Sequence, residues 1–430
     1  MNGVIGLILV FGALFVAVYI SNKTNINLGF IAMIFALIIG MWVMNVPYNT
    51  IIGRFPISNT MVFILTPLFF GYVRRAGVMD KLGKGILYKF RKNAWMVPVS
   101  ILLAGLVINA CGGSAVIGFV IGGLAYTLAL QCGIPTWFVA LIMYCAMSNM
   151  PYVSTTQLYG SIAGEYVPEV TEITPYAVSG VKALFHIVVF AVGFVLSKSY
   201  KLGKGGNQDM VEKPEPFDAK QKKVLFALAV FIVMALVPSL INIVAPNPVT
   251  KWLTTNLSVY ILCALGTCIM FFLKIDDPAK VVKEDIPWSM VLLLAGTSML
   301  LGLLNDCGAI EVLTEFIATL PINLVYAALM FAGGILTMFC NGIVTVQLLA
   351  PVCYAVSLGS GYSFLSFFVC TVIGAGGPAL SPFSGAGASL LALCPNEIKD
   401  KQSKQQLTMA FIILGVYTLV ALTGVFKFIG

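Results

Sequence analysis

Residues 322–358 read INLVYAALMFAGGILTMFCNGIVTVQLLAPVCYAVSL, without one charged residue from end to end. A bilayer is crossed by about 20 helical residues. The run is too long for one pass, and no charged turn divides it into two; its one interruption is Cys340-Asn341-Gly342. The spacing predicts a re-entrant hairpin that enters, turns at that tripeptide and leaves on the same side. Backbone bent at membrane depth is tolerated only where protein buries it or a wet cavity reaches it. The same device stands 229 positions upstream, where Cys111-Gly112-Gly113 interrupts the apolar run 94–130.

Each tip is followed by a second match. Pro151-x-x-Ser154-x5-Gly160 recurs as Pro378-x-x-Ser381-x5-Gly387, at an offset of 227. Ahead of the tips, Phe55-Pro56 with Gly77 matches Ile286-Pro287 with Gly308, at an offset of 231. Three landmarks in one order at one offset make two copies of one unit. Repeated units that meet at broken helices point to a transporter site.

Composition agrees with that class. The chain is 59% hydrophobic and only 10% charged, which excludes a soluble fold. Ten cysteines lie scattered without CxxC spacing or a cysteine–histidine cluster, so neither a disulfide framework nor a transition-metal site is implied. No phosphate loop, nucleophile elbow or HExxH is present, and the net charge of +8 comes from loop lysines rather than a nucleic-acid face. The first apolar run, 3–20, has no basic segment before it and reads as a retained helix.

The expected architecture is an all-α polytopic membrane protein of two inverted repeats, each with five transmembrane helices and one re-entrant hairpin. The first copy divides into residues 1–93 and 94–199, the latter holding the first hairpin and broken helix. A cytoplasmic linker spans 200–223. Residues 224–320 and 321–430 repeat that division, the latter holding the second hairpin and broken helix. Spans are expected at 3–20, 28–46, 60–73, 175–196, 224–244, 257–273, 288–304 and 408–428. Two broken helices start near Pro135 and Tyr362. Residues 74–93 carry seven basic residues and one acid and read as an interfacial helix. With that stretch in the cytoplasm, 21 of the 25 lysines and arginines fall inside, including those of the linker, 274–283 and a charged loop at 399–404. Both termini then lie outside, in a cytoplasmic (inner) membrane. An odd number of passes per copy inverts the second copy.

At a hairpin tip the second half-helix points its free N–H groups and positive dipole end into the membrane. Those half-helices start near Ser114 and Ile343. The broken helices add unwound carbonyls and hydroxyls at Ser148, Asn149, Ser154, Thr155 and Thr156, then at Ser381 and Ser384. Dipole ends suit a carboxylate, and carbonyls and hydroxyls suit a dehydrated alkali cation. The plainer alternative is that these glycines and prolines kink helices or allow close packing. Two symmetric breaks with two symmetric tips favour a site. All seventeen aspartates and glutamates fall in loops or at helix ends, which weighs against a proton pump. Lys182 and His186 share one helix face. They read either as a contact to a substrate carboxylate or a proton-sensitive step, or as a lysine that snorkels outward and a histidine bonded to a backbone carbonyl. The second reading is preferred.

The residues also resemble a family. Asn25-Ile-Asn-Leu-Gly-Phe-Ile-Ala-Met, Gly53-Arg-Phe-Pro and the stretch from Gly77 to Pro98 resemble the N-terminal region of the MatC-type dicarboxylate (malonate) carriers. Ile286-Pro-Trp-Ser-Met-Val-Leu-Leu-Leu-Ala-Gly resembles the second-half signature of the ion transporter superfamily, which includes divalent anion/sodium symporters. The resemblance implies a homodimeric elevator, with 1–93 and 224–320 as scaffold and 94–199 and 321–430 as the moving transport halves, that holds a small organic dianion between the tips, flanked by sodium ions, with no other cofactor. Substrate contacts would come from Ser114, Ser154, Thr155, Asn341, Gly342 and Ser381. Sodium would be held around Gly112, Gly113, Ser114, Gly160, Asn341, Thr345, Pro378, Ser381 and Ser384. The symporters carry Ser-Asn-Thr at each tip; here the second keeps only Asn341, and the first reads Gly112-Gly113-Ser114.

The expected function is therefore secondary transport of small dicarboxylates, coupled to sodium. The alternatives are a proton-coupled or exchange carrier of another organic anion, and the large membrane subunit of a binding-protein-dependent carboxylate transporter. An intramembrane enzyme lacks paired carboxylates, a Ser/Lys dyad or a metal cluster. A channel lacks anything resembling a filter.

Overall fold

The computed structural model describes the chain except residues 1–2, 25, 56, 91, 111–120, 148–149, 172, 203–211, 258, 287, 340–341, 393 and 395. All regular structure among the described residues is helical. The first half runs α1 (Gly3–Thr24), α2 (Leu28–Ile38), α3 (Tyr48–Gly53), α4 (Ile57–Arg75), α5 (Val78–Phe90), α6 (Val97–Ala110), α7 (Gly123–Gln131), α8 (Thr136–Ala146), α9 (Ser154–Gly164) and α10 (Ile173–Leu196). The second runs α11 (Ala219–Val244), α12 (Pro248–Asn256), α13 (Val259–Phe272), α14 (Pro278–Asp285), α15 (Trp288–Gly302) and α16 (Ala309–Ala318). It continues through α17 (Ile322–Phe339), α18 (Gly342–Ser360), α19 (Phe364–Gly376), α20 (Gly385–Ala392) and α21 (Lys399–Leu422).

Among the described residues α1, α10, α11, α18 and α21 are long and apolar enough to cross a membrane, and α12 with α13 form one bent candidate. Leu184, Ile187, Val188, Val192 and Val195 lie exposed along α10, an apolar face suited to lipid rather than water. The fold is that of an all-α polytopic membrane protein.

The backbone repeats as the landmarks do. Left-handed residues stand at Asn45 and Lys274, Gly77 and Gly308, Gly133 and Gly361, Lys198 and Gly424. Each pair is separated by 226 to 231 positions, and each closes an equivalent helix. Glycine takes this region without the Cβ clash, and Gly77 and Gly308 turn the chain into the amphipathic α5 and α16.

Packing crosses between the halves. α2 lies on α15, and its counterpart α13 lies on α4. A Cβ on Gly29 or on Gly296 would collide with the other helix's backbone, so α2 and α15 meet at backbone contact. Ion pairs fix the direction of α4 against α15. Arg54, ahead of α4, pairs with Asp306, beyond α15. At the far end Arg74 and Arg75 both reach Asp285, ahead of α15, at 2.6 Å from Arg75 Nε. The two helices are therefore antiparallel.

The buried residues fall into separate cores. One is built mainly from α6 to α10 together with α17 to α21. Two others join α4, α5, α11 and α13, and α1, α2 and α15. Several helices were not expected. The acidic stretch 306–315 mostly belongs to α16, and 248–256 and 278–285 are short helices capped by Asn247 and Asp277. Residues 399–404 form the first turns of α21 rather than a loop, since Lys, Gln and Ser cost a helix little. At 19 residues α18 is also longer than a hairpin arm needs to be.

Candidate functional site

Each break lies beside the helix that precedes its expected tip. α8 stops at Ala146 and α9 resumes at Ser154. α19 stops at Gly376, a 3-10 turn follows over Gly377–Leu380, and α20 begins at Gly385. The Tyr152 hydroxyl donates to the carbonyl of Ala110, the last residue of α6, at 2.8 Å. In the second half the Ser381 hydroxyl donates to the carbonyl of Met338, next to the end of α17, at 3.0 Å. The same bond thus recurs 228 to 229 positions apart, tying a pre-tip carbonyl to a break. Asn109 adds a bond from its amide to the Ala146 carbonyl at 3.1 Å.

The two breaks touch. The Tyr144 hydroxyl, near the end of α8, donates to the Gly376 carbonyl at the end of α19, at 2.8 Å. Gly342 opens α18 against that same segment: a Cβ there would stand 3.4 Å from the Ala375 carbonyl oxygen. The Thr337 and Thr345 hydroxyls face one another across the second tip at 3.1 Å.

The expected site residues divide on this frame. Gly112, Gly113, Ser114 and Asn341 lie outside the described residues, as do Ser148 and Asn149. Ser154 is the first residue of α9, and Thr155 follows it half-buried. Gly342, Thr345, Pro378, Ser381 and Ser384 come together at the second tip and break. The Ser381 and Ser384 hydroxyls donate to backbone carbonyls, and each accepts one N–H, from Phe383 and Gly387. Each keeps one lone pair. Gly160 lies against the Thr171 carbonyl at a Cβ distance of 3.1 Å, a close-packing position within α9. Thr156 is buried on α9 beside the first break, and among the described residues its hydroxyl has no partner.

Lys182 departs from expectation. Its Cε lies 3.4 Å and its Nζ 3.8 Å from where a Cβ on Gly376 would stand. The side chain therefore turns onto the second break instead of snorkelling outward. A helix end frees carbonyl oxygens, and a glycine there leaves room for the ammonium. His186 follows the preferred reading, since its Nδ1 is 3.1 Å from the Cys145 carbonyl and its ring meets Tyr144 edge-on. His186→Ala is expected to keep uptake within about threefold of wild type, and Lys182→Met to lose about tenfold, roughly 1.4 kcal/mol. Initial rates in proteoliposomes check both; equal losses would place the two residues in one functional unit.

A polar cavity of about 280 Å³ lies where the cores adjoin, lined by Arg54, Glu165, Tyr166, Ser298, Asn305 and Gln347. Gln347, on α18, bonds to Thr297 and Ser298 on α15 at 2.8 and 2.6 Å. Among the described residues no group of His, Cys, Asp and Glu could hold a metal ion.

Comparison with known proteins places this frame. The fold is shared with the Alcanivorax borkumensis YdaH transporter, whose topology is described as unusual, at TM-score 0.59 and 12% identity over 87% of each chain. It is also shared with Neisseria gonorrhoeae MtrF, which is described as illuminating a class of antimetabolite efflux pumps, at TM-score 0.61 and 13% identity over 91% of this chain and 84% of that one. No curated protein matches the chain. The model of a family described as citrate transporter matches residues 14–374, well over half of the sequence. The chain belongs to that citrate transporter family, and it is a transporter rather than an enzyme.

Proposed function

We propose that the chain carries small di- and tricarboxylates across the cytoplasmic membrane by a sodium-coupled elevator movement. The observation that carries this reading is the repeated hydroxyl-to-carbonyl bond behind each tip. Each bond holds an unwound segment against the helix that precedes its tip, and the Tyr144–Gly376 bond brings the two segments together, which suits an anion at dipole ends and cations among carbonyls. Citrate comes from the family's description, and malonate from the likeness of residues 25–33 and 53–56 to the malonate carriers. Both substrates share closely spaced carboxylates.

The division of the buried residues supports a moving core of α6 to α10 with α17 to α21 against a static remainder. The antiparallel α4 and α15 support inverted repeats. A homodimer fits the same scheme. A second reading, a proton-coupled or exchange carrier, is favoured by Lys182, whose tethered ammonium stands at the second break where a free cation would otherwise bind.

Uptake of radiolabelled malonate and citrate into proteoliposomes, under a sodium gradient and then a pH gradient, tests both readings. Uptake driven only by pH selects the second, and no uptake of either acid by the purified chain removes the first. Transport by the chain alone also rules out a need for accessory subunits. Sidedness has its own check. A single cysteine at Glu169 is expected to react with an impermeant thiol reagent from outside, and one at Lys213 only after permeabilisation. The reverse pattern would overturn the orientation.

A further inference from the structure

Gln402 and Gln406 lie on α21 one turn apart, and both are fully buried. Among the described residues neither the amide nitrogen nor the oxygen of either side chain has a hydrogen-bond partner. Four unpartnered polar atoms on one buried helix face are a heavy desolvation cost, and native folds keep such groups only when something satisfies them. One turn further on, Ala410 packs with Met338, whose carbonyl the second break holds. Beyond it Ile413 and Tyr417 reach Gly377. The buried face therefore runs from the amides straight to the second tip, about 12 Å from residue 402 to residue 410 at helical rise. Its other end lies at the first turns of α21, which carry Lys399, Lys401 and Lys404, outnumbering Glu397 and Asp400.

We infer that Gln402 and Gln406 form a carboxylate subsite on the route between the second tip and the end of the protein where α21 begins. Each amide nitrogen donates to a carboxylate oxygen of the passing anion, and each amide oxygen accepts from a substrate hydroxyl or its water. The neutral amides hold the anion weakly enough to release it, while the lysines at the mouth attract it. This rests on the transport reading above and adds a second station to it.

The test compares wild type with Gln402→Leu/Gln406→Leu and with Gln406→Glu, using malonate and citrate as probes. Without substrate, the double leucine variant is expected to melt at or above the wild-type temperature, because it removes unpartnered groups. It is also expected to lose the melting shift that millimolar malonate or citrate gives wild type, and to raise KM at least tenfold. Gln406→Glu should raise KM further by repelling the anion. If the double variant keeps the wild-type KM and shift, the inference falls. If it melts well below wild type or does not fold, the amides are satisfied within the protein and the inference falls as well. If wild type itself neither shifts with nor transports either acid, the transport reading has failed first, and the subsite goes with it.

Discussion

Asn341→Ala is expected to lower sodium-driven dicarboxylate uptake about 100-fold, roughly 2.8 kcal/mol, and to weaken the sodium response with it. The chain is pinned on both sides of this residue. Met338 is held through its carbonyl by Ser381, and Gly342 abuts the Ala375 carbonyl. Asn341 is the polar side chain between those points. An amide oxygen can ligate a hard cation, and its NH₂ can donate to a carboxylate. A ligand shared by ion and substrate couples their affinities reciprocally. Asn341→Asp should be worse for the anion, since it sets a like charge beside it, and Ser114→Ala should be milder because the first tip has no asparagine. Uptake against sodium concentration for the three variants checks the order. Wild-type affinity and sodium response in Asn341→Ala would make the second tip a packing feature.

Asp285→Ala is expected to cost about 3–5 kcal/mol, the usual penalty for stripping one partner from a buried pair. The Asp285 side chain is 3% exposed and accepts from both Arg74 and Arg75, while Arg75 also binds Asp276 and Glu284 at 3.2 and 2.7 Å. A thermal melt of detergent-purified protein measures the loss, and a variant that melts with wild type would show the network to be dispensable. Acid should act in the same direction. The Arg75 guanidinium holds the Glu284 carboxyl below its ordinary range. Asp276 is lowered first by the Asp277 backbone N–H, then by Arg75. Groups depressed in the folded state stabilise it above their unfolded pKa. That contribution disappears as pH falls through the folded value, so the melt should drop below about pH 4.

The helix breaks were readable, because glycine and proline mark breaks whatever packs around them. The landmark glycines Gly77 and Gly308 both sit in left-handed turns. Short helices such as α12, α14 and α16 escaped notice, since polar or amphipathic turns between spans carry no long apolar run. Residues 399–404 read as a loop for the same reason, and that reading concealed the buried face of Gln402 and Gln406. The direction of Lys182 depends on Gly376, a residue on a distant helix whose missing side chain makes the space. No local pattern encodes such a pairing. The bond from Tyr152 to Ala110 was hidden because its partner in the other half, Ser381, has a different side chain doing the same task.

The exchange of partners between α2 and α15, and between α13 and α4, also bears on synthesis. A ribosome releases the first unit well before the helices that must cover it exist. Until α15 arrives, Gly29 presents bare backbone with nothing seated on it. The nascent first half is thus an open clasp rather than a finished domain, and the clasp closes only after translation passes Asp306, the partner of Arg54. The two halves are complementary fragments joined by a tether, and what makes them one molecule is the interlock and not the peptide bond between them.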